Sequence, residues 1–184
     1  MGAYEVLNRE TLWEGKFLRA VSLRYKDSSG KLRDWEAVER VNCKGIVAVV
    51  PITNDGCVLL IRQFRPPVNG YVIEFPAGLN DRDEDLDVVA KRELLEETGY
   101  QAKEITFLGR GPLSSGSSVE VLTVYLAKGL EFVGVSERDE TEEIEVIKVP
   151  LNSVEDRLKE LEDRGNLIDL KILGFIAKAV KTLS

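Results

Sequence analysis

The stretch Gly78-Leu79-Asn80-Asp81-Arg82-Asp83-Glu84-Asp85-Leu86-Asp87-Val88-Val89-Ala90-Lys91-Arg92-Glu93-Leu94-Leu95-Glu96-Glu97-Thr98-Gly99-Tyr100 decides the reading of this chain. Leu86, Val89/Ala90 and Leu94 recur at spacings of three and four, which predicts a helix over about 84–98. Gly99 stands where a C-terminal cap belongs. Three glutamates fall within five residues of that helix: Glu93, Glu96 and Glu97. At roughly 100° per residue, Glu93 and Glu97 are offset by about 40°, with Glu96 about 60° to the other side. All three leave one ridge, where like charges repel. A divalent cation with oxygen ligands would offset that repulsion, and Arg92, four residues before Glu96, can orient one carboxylate. A solvated acidic face is the ordinary alternative, and the residues alone leave both open.

Outward from this helix the chain reads mainly as strands. Residues 17–25 and 32–41 are extended, joined by the turn chemistry of Lys26-Asp27-Ser28-Ser29-Gly30-Lys31, and predict a hairpin. Residues 45–52 (GIVAVVPI) form a β-branched run with the signature of a buried strand. Asn54-Asp55-Gly56 turns the chain into a second strand over 57–64, and the two are expected to pair as a hairpin. Arg65-Pro66-Pro67 ends it, since proline cannot continue a ladder. Further strands are expected at 71–75, 104–108, 119–127 and 143–149, and helices at 153–164 and 167–183. Strands flanking a charged helix, with helices last, predict a mixed α/β or α+β sandwich. The proline breaks and hairpins argue against a doubly wound parallel sheet.

Composition narrows the chemistry. The 184 residues are 43% hydrophobic and 31% charged, enough for a core and in the range of a single domain. There is no histidine, which excludes Ser-His-Asp and Cys-His nucleophile systems and imidazole-dependent zinc sites. Catalysis must then rest on carboxylate, Lys, Tyr, Arg or a carboxylate-held metal. A net charge of −7 argues against nucleic acid as partner. No apolar run approaches the roughly 20 residues of a membrane span, and the first residues lack a basic-then-apolar leader pattern. A cytoplasmic protein with no membrane partner is expected. Cys43 and Cys57 match no metal or redox spacing and read as buried thiols.

Gly78, then Glu84, then Arg92-Glu93-Leu94-Leu95-Glu96-Glu97-Thr98-Gly99 resembles the Nudix box of the Nudix hydrolases at every fixed position. Tyr100, where an aliphatic residue is usual, is the one departure. Gln63-Phe64-Arg65-Pro66-Pro67, Gly70-Tyr71, Glu74-Phe75-Pro76-Ala77-Gly78, residues 35–40 and residues 142–146 resemble the ADP-ribose and ADP-sugar pyrophosphatase branch. The likeness covers about residues 13–150. It implies a Nudix-like α/β/α sandwich with a mixed sheet over residues 42–184, and an antiparallel β-hairpin subdomain over residues 1–41 that serves dimerisation and the adenine site. One further departure is Ser115-Gly116, where that branch has Pro-Gly.

Carried over residue by residue, the resemblance implies metal ligation by Glu93 and Glu97, with Glu96 as a further ligand or supporting group and the Ala77 carbonyl completing the set. Mg²⁺ is the expected cofactor, with Mn²⁺ as the alternative. Glu84 reads as structural at the helix entrance, where a carboxylate suits the macrodipole. Residues 137–145 (ERDETEEIE) are an acidic loop in which Glu142 matches the catalytic base, with Glu140 as runner-up; Glu97 is counted with the catalytic groups. Arg40 and Arg65 are candidates for the substrate diphosphate, since guanidinium forks pair with phosphate oxygens; each is equally a surface ion-pair residue. The resemblance puts Trp35 against adenine, Phe17 of the partner subunit's hairpin on its other face (Trp13 could substitute), and Glu36 at the adenine amino group.

The expected activity is Mg²⁺-dependent hydrolysis of ADP-ribose or another ADP-sugar to AMP and a sugar phosphate, by a homodimer that exchanges its N-terminal hairpins. Ser115 motivates one alternative, a different nucleoside diphosphate sugar. A non-catalytic nucleotide sensor is the other, and the intact glutamate ridge speaks against it.

Overall fold

The computed structural model describes residues 3–134 and 143–183. Eleven strands and three α-helices are described, in three sheets. The first is antiparallel and N-terminal: β1 (Glu5–Glu14), β2 (Leu18–Lys26) and β3 (Leu32–Arg40). The expected hairpin is β2–β3, and its turn is held by Asp27, whose carboxylate accepts from the Ser29 hydroxyl at 2.6 Å, the Lys31 N–H at 3.0 Å and Arg33 Nε at 2.7 Å. β1 adds a third strand over residues that show no alternation; it is exposed along its whole length and extends by pairing with β2 rather than by burial.

The body has two four-stranded mixed sheets where one was expected. One runs β7 (Ala77–Leu79), β4 (Ile46–Pro51), β9 (Val121–Phe132), β8 (Tyr100–Pro112), with β4 and β9 parallel. The other runs β10 (Ile144–Pro150), β5 (Cys57–Arg65), β6 (Gly70–Glu74), β11 (Leu167–Ile168), with β6 and β11 parallel. The expected β4–β5 hairpin is corrected. Asn54-Asp55-Gly56 makes its turn, with Gly56 at φ 75°, but among the described residues the strands share no ladder: beside the turn there is only the isolated bridge Ile52–Val58. β4 is buried at every position and takes β7 and β9 as neighbours, while β5 takes β6 and β10.

Helix α1 (Leu86–Thr98) covers one side and α2 (Val154–Asp163) with α3 (Lys171–Leu183) covers the other. This is the expected α/β/α sandwich. α1 lays Val89, Ala90 and Leu94 on Val47, Val49 and Leu59, all fully or almost fully buried; each side chain of the Leu/Val class so buried stabilises by roughly 1.5–3 kcal/mol. The helix ends at Gly99, in the left-handed conformation at φ 77°, with its N–H on the Leu95 carbonyl at 2.8 Å. α2 and α3 close the larger cluster, led by Leu158, Leu161, Ile172 and Ile176. Among the described residues no helix is long and apolar enough to cross a membrane.

Candidate active site

The loop that aims α1 is pinned before the helix starts. Asn80 Nδ2 donates to the Glu84 carbonyl at 2.7 Å, and the Glu84 N–H donates back to Asn80 Oδ1 at 3.1 Å. Glu84 precedes the Asp85 N-cap, and its carboxylate faces Arg92 Nε at 3.4 Å, an electrostatic contact without hydrogen-bond geometry.

Arg92 organises the ridge. Its Nη1 donates to Glu93 Oε1 at 2.7 Å and to Glu96 Oε2 at 3.1 Å. Burial works against the Arg92 charge, but Glu93, Glu96 and Glu84 outweigh it and hold its pKa above the ordinary arginine value. Glu97 is buried, and its Oε2 accepts the Ala77 N–H at 2.9 Å, which ties the ridge to β7. Glu96 and Glu97 lie in the last turn of α1, which carries no basic side chain. Carboxylates there face the negative end of the helix dipole, so a cation is the natural complement.

Glu93 and Glu97 form one wall of an open cavity of about 330 Å³, with Ala77, Gly78 and Leu79 beside them. Arg40 and Arg65 line it too. Each is held by a carboxylate: Arg40 Nη1 to Glu120 Oε2 at 2.6 Å, and Arg65 Nε to Glu74 Oε1 at 2.7 Å. The cavity therefore puts carboxylate and guanidinium groups around one space, the combination that a cation-bound phosphate ester requires.

The fit to a divalent metal follows from the donors. Glu93, Glu97 and the Ala77 carbonyl are all oxygen, as a hard cation prefers, and Gly78 leaves room for the Glu93 carboxylate that any Cβ there would fill. Glu96 does not line the cavity and is the most exposed of the three, and among the described residues no three acidic side chains converge as a closed ligand cluster. Two carboxylates and a carbonyl would leave the remaining positions to water and substrate oxygens, an arrangement open to a hard divalent cation.

The adenine candidates stand apart from this cavity. Trp35 and Glu36 are exposed on β3, and Phe17 is exposed in the loop before β2. Trp35 Nε1 donates to the Gly116 carbonyl at 3.0 Å. The same loop meets β3 at Val38, whose N–H donates to the Ser117 carbonyl at 2.8 Å. Ser115-Gly116 thus docks onto the strand that carries Trp35. Glu140 and Glu142 lie outside the described residues.

Two neighbours of the site were missed in the sequence. Glu120 receives both the Arg40 side chain and the Arg40 N–H, the latter at 3.0 Å, and no local signal links residues 80 apart. Gln63 lines the cavity and did carry a signal, being polar two residues beyond Ile61 on the side of β5 that Leu59 and Ile61 bury.

Comparison with known proteins gives a consistent picture. A family model described as "NUDIX domain" matches residues 44–170. The chain is 33% identical to the ADP-sugar pyrophosphatase of Mus musculus, over 95% of this chain and 86% of that protein. It is 34% identical to the ADP-ribose pyrophosphatase of Bacillus subtilis, over 87% of this chain and 84% of that protein. A crystal structure of an ADP compounds hydrolase superposes with a TM-score of 0.79 at 26% identity, covering 98% of this chain and 94% of that one.

Proposed function

The chain belongs to the Nudix family, and from that premise we infer that it hydrolyses the pyrophosphate bond of ADP-ribose and related ADP-sugars, releasing AMP and a sugar phosphate. The observation that carries the reading is the single cavity that joins Glu93 and Glu97 to Arg40 and Arg65. Relatives named for this activity cover most of the chain.

Arg40 and Arg65 receive the diphosphate, and their salt bridges to Glu120 and Glu74 fix where the guanidinium groups stand. Glu93, Glu97 and the Ala77 carbonyl hold the divalent cation, Mg²⁺ in the first instance and Mn²⁺ as a substitute, with Glu96 supporting from the Arg92 side. Bound there, the cation neutralises phosphate charge and makes a water molecule more acidic. Glu142 takes a proton from the attacking water. Trp35 and Glu36 bind adenine, with Phe17 from the partner subunit.

A homodimer is part of this reading. Val6, Leu12, Trp13, Phe17, Leu18 and Trp35 are all about half exposed or more on the N-terminal sheet and its turns, an apolar surface of the kind that marks an interface. The free thiols Cys43 and Cys57 suit a reducing compartment such as the cytoplasm.

Ser115 favours a second reading, in which the nucleoside diphosphate carries a sugar other than ribose. A panel of nucleoside diphosphate sugars, with products identified, tests both. The first reading expects kcat/KM to peak on ADP-ribose or an ADP-sugar; a peak on a uridine or guanosine diphosphate sugar would replace it.

A further inference from the structure

Gln63 is a neutral polar side chain that follows the apolar run Cys57–Ile61 of β5 and is itself buried. Leu59, Ile61 and Gln63 alternate onto the face of the strand that Leu59 buries against Val89, Ala90 and Leu94 of α1. Gln63 is only 8% exposed, and it borders the cavity between Glu93 and Glu97 on one hand and Arg40 and Arg65 on the other. Its Oε1 has no hydrogen-bond partner among the described residues. A buried acceptor left unpaired is unfavourable, and a leucine would fill the position without that penalty.

What can satisfy it is constrained by the surroundings. The carboxylates accept and do not donate, and neither Arg40 nor Arg65 donates to Gln63 Oε1: Arg40 Nη1 is directed at Glu120 and Arg65 Nε at Glu74, and the N–H groups they keep are those that meet the diphosphate. The partner must come with the ligand, as an N–H or O–H donor. A diphosphate at neutral pH offers acceptor oxygens alone. The donors left are a sugar hydroxyl and the water that hydrolysis consumes. Gln63 shares its cavity with the charged groups that gather around the diphosphate rather than with exposed Trp35 and Ser115, so water is the better fit.

We propose that Gln63 is a positioning residue for the attacking water. Its Oε1 accepts a hydrogen bond from one water proton and leaves a lone pair of the water oxygen directed at phosphorus. The carboxamide is neutral and does not compete as a base. In the step, the water oxygen forms a bond to phosphorus while the bond from phosphorus to the bridging oxygen breaks, and that electron pair leaves on the departing phosphate. One water proton passes to the general base. The proton held by Gln63 stays on the new phosphate oxygen until solvent removes it. This rests on the pyrophosphatase reading above.

The test compares wild type, Gln63→Met, which matches the length without an acceptor, and Gln63→Glu, which restores one. Rates, melting temperature and ADP-ribose affinity by calorimetry without divalent cation are measured on each. Gln63→Met is expected to lose roughly 10²-fold in kcat, the scale of a misplaced reactant. Its KM should stay within about threefold, as expected when an interaction made only in the transition state is lost. Its affinity and melting temperature should be unchanged or higher, and Gln63→Glu should turn over clearly faster than Gln63→Met. A normal kcat in Gln63→Met overturns the proposal. So does a raised KM at normal kcat, which would assign Gln63 to a substrate hydroxyl, or a lowered melting temperature with lost affinity, which would make it structural. Failure of the pyrophosphatase reading shows separately, as wild-type protein inert on every ADP-sugar.

Discussion

The Glu93 carboxylate lies directly over the α-carbon of Gly78, so closely that a Cβ on residue 78 would overlap its carboxyl carbon. The glycine that opens the quoted stretch and the first glutamate of its ridge are thus in contact across 15 residues of chain.

That contact makes Gly78→Ala a selective probe. The obstacle is the end of a flexible side chain, so Glu93 can swing aside at little cost, and folding stability should change by less than about 1 kcal/mol. Displacing Glu93 from the cavity should lower kcat by roughly 10²-fold. Thermal unfolding and steady-state rates on one preparation check this, and an active Gly78→Ala enzyme would detach Glu93 from the chemistry.

Glu97→Gln keeps an oxygen to accept the Ala77 N–H and removes only the charge. Turnover should fall by orders of magnitude at saturating Mg²⁺, while the melting temperature holds or rises as repulsion along the ridge is relieved. Near-normal turnover would remove Glu97 from the metal site.

If Glu142 is the base, Glu142→Gln should lose roughly 10²–10⁴-fold in kcat with a smaller change in KM. Glu140→Gln should do little. The reverse pattern would shift the assignment by two residues in the acidic loop.

Asp27 offers a prediction in pH. Hydrogen bonds from Ser29, then Arg33, hold its carboxyl well below the ordinary range, even though some burial opposes them. A depressed folded-state pKa contributes stability above the unfolded value of about 3.9 and loses it as pH falls below that. Asp27→Asn should therefore melt lower than wild type at pH 7, and the gap should close on acidification below about pH 4. A gap independent of pH would mean that the charge of Asp27 plays no part.

Helix α1 was legible because its signals are local: the spacing of Leu86, Val89 and Leu94, and the cap at Gly99. The β2–β3 hairpin was legible through the turn around Asp27 for the same reason. The pairing of β4 was not. Asn54-Asp55-Gly56 carries true turn chemistry, yet a strand buried on both faces chooses its neighbours by long-range packing, and β9 lies some 75 residues further along the chain. The ridge of Glu93, Glu96 and Glu97 was read from helical geometry, but its division was not: Arg92 bonds both Glu93 and Glu96, yet only Glu93 and Glu97 line the cavity.

The assembly is tested by light scattering at micromolar concentration, where a two-chain mass is expected with an interface above roughly 2,000 Å². Deleting residues 1–41 should abolish ADP-ribose binding with every proposed metal ligand retained. A fully active monomer would leave Trp35 needing a role within one chain.

The most direct measurement follows ADP-ribose and the wild-type protein by phosphorus NMR, with and without Mg²⁺. The account predicts equal amounts of AMP and ribose 5-phosphate in the presence of Mg²⁺ and intact ADP-ribose in its absence. Tight binding without cleavage, or release of ADP and free ribose, would contradict it.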